Sequence, residues 1–193
     1  MFYGVILAGG ASSRMGEDKR FLRLNGQTLL ERTEALLEAA GAEFVLLSGQ
    51  VPGRAGIPDT HGSYGPPGAV LSVLEHVRDH YGLDGTNLLF VPVDMPLLSK
   101  ATLRHLLDSS VNAAGCHFEG EVFPCTMKAT PDLYTYLKDL FNDGTEQSGR
   151  RSMRGILTWL QAKTIPQVGV AELEFHNVNT PEDWQRVLSS QRL

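Results

Sequence analysis

The sequence predicts an α/β protein: a three-layer sandwich around a mostly parallel, partly mixed central sheet of Rossmann-like type. Three observations carry that reading. Strand-like and helix-like segments alternate along the chain, the order that builds βαβ units. Residues 87–92 (NLLFVP) form a nearly continuous apolar run, the mark of a strand covered on both faces. A short apolar stretch, residues 3–7, opens into the glycine-rich run LAGGASSRMGEDK that ends at Lys19. A strand that opens into such a loop is built to hold an anion, above all a nucleotide triphosphate.

Each element has its own justification. Residues 3–7 read as the first strand. Residues 28–40 (TLLERTEALLEAA) carry apolar side chains at helical spacing, with Gly41 at the C-terminal cap position. A second strand is expected at 44–48, a helix at 68–81 that ends before Gly82, and the buried strand at 87–92. Ser99 is placed to cap a helix running to about residue 107. Residues 114–127 hold two apolar segments, GCHF and VFPCTM, around Glu119-Gly120-Glu121. That pattern predicts a hairpin adding mixed strands. Helices follow at 131–141 and 154–160. Thr180-Pro181-Glu182-Asp183 is a helix start, with Thr as N-cap, Pro at the first helical position and acids in the first turn. No internal repeat, low-complexity tract or linker interrupts the chain, so residues 1–193 are expected to form one domain.

Composition bounds the function. The 193 residues are enough for one sizeable core, and 42% hydrophobic with 20% charged residues is ordinary for a soluble protein. No apolar run approaches the ~20 residues of a membrane span. The N-terminus MFYGVILAGG lacks the basic start of a signal peptide, which makes the cytoplasm the expected compartment and a membrane partner unexpected. The net charge of −5 disfavours nucleic acid. It leaves room for an anionic small substrate held by a local group of Arg and Lys. Cys116 and Cys125 form neither a disulfide framework nor a zinc motif, and both are expected to be reduced.

In open α/β sheets ligands bind beyond the carboxyl ends of the strands. Three features fall there: the glycine loop, Asp94 in Val91-Pro92-Val93-Asp94-Met95-Pro96, and Asn177-Val178-Asn179-Thr180. A carboxylate at a strand end beside a phosphate loop suits Mg²⁺, which takes oxygen ligands and shares substrate phosphates; Asn177 or Asn179 would add a further oxygen. Taken singly, each feature has a plainer reading as a tight turn or a solvated charge; together and in this order they point to a site. The loop is neither a P-loop, since Gly16 is followed by Glu17-Asp18-Lys19, nor a dinucleotide fingerprint, since G-x-G-x-x-G is absent. His76 and His80 sit four apart on a predicted helix without an evident third ligand and read as a helix face. Trp159 and Trp184 read as core or edge packing.

Leu7-Ala8-Gly9-Gly10, then Ser13-Arg14-Met15-Gly16, then Asp18-Lys19, resembles the signature of the molybdenum cofactor guanylyltransferases, within the nucleotidyltransferase superfamily. Later segments agree in order: Leu22-x-Leu24-Asn25-Gly26, Asp59 followed by Gly65-Pro66, Pro92-Val93-Asp94-Met95-Pro96, and Asn177-Val178-Asn179-Thr180-Pro181-Glu182. The resemblance runs from about residue 3 to 188. Asp18 stands where sugar nucleotidyltransferases and the cytidylyltransferase of isoprenoid synthesis usually have Pro. Leu-Ala-Gly-Gly stands where molybdenum cofactor cytidylyltransferases usually read Leu-Ala-Ala-Gly. The chain departs from the family at Pro67-Gly68-Ala69, at Ser48 in place of an asparagine, and at Phe123 in place of a histidine before Pro124. These departures touch base selectivity and acceptor contacts more than reaction type.

The resemblance implies attack by molybdopterin phosphate on the α-phosphorus of GTP, giving a dinucleotide and pyrophosphate. It implies Mg²⁺ on Asp94, with Arg14 and Lys19 on the β- and γ-phosphates. Leu7, Ala8, Gly9 and Gly10 would border the base and ribose, and Asp59 would accept from guanine N–H groups. Asn177 and Asn179 would stand on the metal or acceptor side. The basic group Arg150-Arg151-Ser152-Met153-Arg154 is expected to meet the acidic pterin. A phosphate monoester is already largely dianionic at neutral pH, its second pKa being about 6, so no strong general base is needed. The expected partners are these two small molecules, with a monomer in transient contact with other cofactor-assembly proteins. The alternatives are a nucleotidyltransferase using CTP or another phosphorylated acceptor, and a non-catalytic nucleotide-binding regulator.

Overall fold

All six residues of the first strand, β1 (Phe2–Leu7), are buried, as its place in the middle of a sheet requires. Phe2 and Ile6 join one core, and Tyr3, Val5 and Leu7 join the other. The period-two geometry of a strand sends alternate side chains to opposite faces. The computed structural model describes residues 1–9, 18–61, 64–142 and 150–190.

After a 3₁₀ turn at Lys19–Phe21, a two-rung hairpin forms from β2 (Arg23–Leu24) and β3 (Gln27–Thr28). Its turn is Asn25-Gly26, both at positive φ (53° and 85°), the pairing that tight hairpins favour. The sequence signals the turn, but strands of two residues carry no readable period. Thr28 then caps α1 (Leu29–Ala39): its hydroxyl accepts from Glu31 N and the Glu31 carboxylate accepts from Thr28 N, a full capping box. β4 (Phe44–Ser48), α2 (Pro66–His80), β5 (Asn87–Pro92) and α3 (Lys100–Ser109, capped by Ser99) follow. Helix α2 begins two residues earlier than its sequence pattern indicates, because Pro66 and Pro67 occupy its first turn, where proline's missing N–H is not needed.

The hairpin expected at 114–127 is present as β6 (Gly115–Phe118) and β7 (Cys125–Lys128). α4 (Pro131–Asn142), α5 (Met153–Trp159), β8 (Lys163–Ile165) and α6 (Pro181–Ser190) complete the described chain. β8 has two exposed residues out of three and left no apolar run to read. The sheet order is β4-β1-β5-β7-β6-β8. β4, β1 and β5 are mutually parallel, β7 runs antiparallel between β5 and β6, and β8 is parallel to β6. Helices α1, α3 and α6 cover one face, and α2, α4 and α5 the other. Gly4 lets α1 approach: a Cβ there would come within 3.0 Å of Leu37.

No helix among the described residues is long and apolar enough to cross a membrane. Both cysteines are free and buried, on opposite faces of the sheet. Burial pushes the Cys125 thiol far above its ordinary value. His76 and His80 stack their rings at 4.1 Å, and His80 Nδ1 is hydrogen-bonded to His76 O. Trp184 packs against the core edge, and Trp159 stacks on Tyr136 at 4.1 Å.

Candidate active site

The carboxyl ends of β4, β1 and β5 are laced together. Ala8 N donates to Ser48 O (3.0 Å), and Val93 N donates to Leu7 O (3.2 Å). Glycine permits the close approach. Gly49 has φ +105°, and a Cβ on it would lie 3.0 Å from Gly9 N. Leu7 and Ala8 are buried while Gly9 is exposed, so at Gly9 backbone rather than a side chain faces outward. Gly10 and Arg14 lie outside the described residues.

Lys19 returns to this floor. Asp18 starts the 3₁₀ turn, its carboxylate accepting from Arg20 N. Arg20 in turn grips both Asp18 oxygens (2.8 and 2.9 Å from Nε) and donates to Gln50 O at 2.7 Å. The Arg20 hydrogen bonds hold the Asp18 carboxyl below its usual range. So fixed, Lys19 places Nζ 2.5 Å from Asp94 Oδ2 and 3.1 Å from Asn179 Oδ1. The Lys19 and Asp94 side chains are only 16% and 14% exposed, which strengthens their attraction over that of a surface pair.

The asparagine turn is anchored from below. Val178 is fully buried, and its N–H donates to the Asp94 carbonyl at 2.8 Å. Asp183 Oδ2 accepts from Asn179 N (3.1 Å) and Thr180 N (3.0 Å), while Thr180 Oγ1 accepts from Asp183 N. These bonds, the Asn179 one foremost, hold the Asp183 carboxyl below its ordinary value. His176 Nε2 stands 3.5 Å from Asp183 Oδ1. Asn177 and Asn179 are both exposed.

Asp59 lies across from Gly9: a Cβ on Gly9 would sit 3.9 Å from Asp59 Oδ2. The other oxygen, Oδ1, accepts from His61 N at 3.2 Å. The two arginines of the basic group part company. Arg151 is half-buried, donates to Leu140 O (3.0 Å) and lies over the Tyr64 ring at 5.4 Å. Arg150 is exposed and lines an outer groove of about 710 Å³ with Tyr136, Arg154 and Trp159. Sequence reasoning missed Arg20 and Asp183 as organisers of the site. Asp183 was visible only as a first-turn acid, and nothing in the sequence reports that Arg20 reaches Gln50.

Oxygen donors gathered around a cation, at strand ends beside a glycine turn, suit enzymes that handle nucleoside triphosphates, and the chain is a nucleotidyltransferase. It belongs to the MobA-like NTP transferase family, whose model matches residues 4–164. Among its relatives is the molybdenum cofactor guanylyltransferase of Xanthomonas euvesicatoria pv. vesicatoria, 40% identical over 96% of this chain and 93% of that one. The resemblance drawn from the motifs is thereby borne out. Among solved structures, the molybdopterin-guanine dinucleotide biosynthesis protein A of Archaeoglobus fulgidus aligns at TM-score 0.71 with 18% identity, covering 98% of this chain and 100% of that one. A Mycobacterium tuberculosis protein crystallised in complex with manganese aligns at TM-score 0.61 with 20% identity, covering 98% of each chain. Both share the fold.

Proposed function

We propose that this enzyme transfers GMP from GTP to the phosphate of molybdopterin, forming molybdopterin guanine dinucleotide and releasing pyrophosphate. The observation that carries the reading is the Lys19 ammonium held between Asp94 and Asn179 at the carboxyl ends of the parallel strands. The name and 40% identity of the Xanthomonas relative support the choice of substrates.

A divalent cation fits the donor set: a carboxylate and an amide oxygen, both already coordinating a positive group, are the hard ligands that Mg²⁺ takes. Asp94 would hold it, with Asn177 or Asn179 beside it, and the ion would supply charge neutralisation at the phosphates. The remaining work falls to the protein's own groups. Lys19, with Arg14, would bind the β- and γ-phosphates and stabilise the leaving pyrophosphate. The backbone of Leu7 to Gly10 would border base and ribose. Asp59 offers Oδ2 toward Gly9, the side from which guanine N–H groups would donate. Arg150 and Arg151 would serve the acceptor, Arg151 through the Tyr64 ring it covers. The enzyme would act in the cytoplasm, where the free thiols of Cys116 and Cys125 stay reduced.

Product analysis by mass spectrometry tests the substrates. Purified protein is incubated with Mg²⁺, molybdopterin and each of GTP, CTP, ATP and UTP in turn. A guanine dinucleotide formed with GTP alone is expected; a cytosine dinucleotide would keep the reaction class and overturn the base.

A further inference from the structure

We infer that Lys19 serves as an internal substitute for the metal at Asp94, so that the divalent ion enters only with a triphosphate that takes Lys19 in exchange. The inference rests on the metal role proposed for Asp94. Lys19 Nζ binds the two oxygens, Asp94 Oδ2 and Asn179 Oδ1, that a metal would take. Both oxygens sit on a fixed frame. The Asp94 carbonyl is tied to Val178 N, and the Asn179 backbone to Asp183. The lysine stem is the flexible part of the arrangement.

A divalent ion arriving alone must expel an ammonium that then loses a carboxylate partner in a partly buried place, and that loss opposes its binding. An ion arriving on a triphosphate brings phosphate oxygens that receive the Lys19 N–H bonds as Asp94 and Asn179 are given up to the metal. No proton moves and no bond breaks; hydrogen bonds and ion contacts are exchanged. Metal and nucleotide affinities are then coupled, each raising the other. The form of substrate that the site selects is the metal–nucleotide complex.

The test is binding of Mn²⁺ in the absence of nucleotide, followed by water-proton relaxation. Lys19→Met is expected to bind Mn²⁺ about tenfold more tightly than wild type, within the usual range of coupling factors. Lys19→Arg, which keeps a cation on Asp94, should remain weak. Arg54→Met removes a cation that lines the same groove as Arg20 and pairs with Glu34, away from the Lys19 contacts, and it gauges the through-space contribution. Equal affinity in wild type and Lys19→Met, or an equal rise in Arg54→Met, overturns the inference. Adding Asp94→Asn to Lys19→Met should remove the gain. If the gain survives that change, Asp94 does not hold the metal and the functional reading of Asp94 falls with it.

Discussion

Lys19 and Asp94 meet at 2.5 Å although 75 residues separate them, and neither side chain belongs to an apolar core. Asp94→Ala should therefore leave the far-ultraviolet circular dichroism unchanged while abolishing turnover. Lys19→Ala should lower kcat/KM about a hundredfold, since a charge-assisted contact at the leaving group carries ~3 kcal/mol. Arg20 contributes by position. Its planar fork spans Asp18 and two backbone carbonyls, a pattern that lysine cannot copy. Steady-state kinetics should show Arg20→Ala and Arg20→Lys both reduced about tenfold, of the order of the 1.4 kcal/mol expected when one charge-assisted anchor is lost. An Arg20→Lys variant with wild-type kinetics would remove that role. The motif residues could be read from local spacing. Arg20 could not, because its partners are carbonyls contributed by strand ends that sequence does not place side by side.

At the scale of elements, the start of α6 does double duty. Asp183 and Thr180 form a reciprocal cap, and the same carboxylate fixes Asn179. Because folding lowers the Asp183 pKa, its contribution to stability is present above the unfolded value and is lost as pH falls through about 3.8 toward the lower folded value. Protection factors at the Asn179 and Thr180 amides, taken against intrinsic exchange rates, should fall below about pH 4, near the ordinary carboxylate pKa. Asp183→Asn should make those protection factors insensitive to pH over the same window. Gly4 sets the height of α1 over β1. Gly4→Ala should destabilise by about 1–3 kcal/mol in urea unfolding, because the added carbon meets three Leu37 atoms at 3.0–3.1 Å. A neutral Gly4→Ala would mean that Leu37 can shift freely.

The long elements were legible because each buries one stripe or one alternating face. α1 shows its period over eleven residues, and β5 its unbroken apolar run. The two-residue strands β2 and β3 and the largely exposed β8 were not, since their pairing is set by neighbours rather than by their own side chains. The basic group shows the same limit. Counting charges found Arg150 and Arg151, but only the fold shows Arg151 bound to Leu140 O and Tyr64 while Arg150 stays exposed. Changing both to Ala should raise KM for the pterin and leave GTP affinity intact; unchanged pterin kinetics would remove them from the acceptor side.

At the scale of the molecule, one sheet serves two ends. Its faces carry two apolar cores that share β1 and β5, and its carboxyl edge carries Gly9, Lys19, Asp94 and Asn179. The three mutually parallel strands β4, β1 and β5 supply the laced floor of the site, and the antiparallel strand β7 lies just beyond β5. Net charge is −5, yet Lys19 stands at that edge between Asp94 and Asn179, a local cation of the kind an anionic substrate would need. The most direct measurement is pyrophosphate release by the purified enzyme with Mg²⁺, GTP and molybdopterin, wild type beside Asp94→Ala. Release in the wild type that depends on both substrates and disappears in the variant is the expected result. Equal release by the folded Asp94→Ala variant, or binding of GTP by the wild type with no release at all, would contradict it.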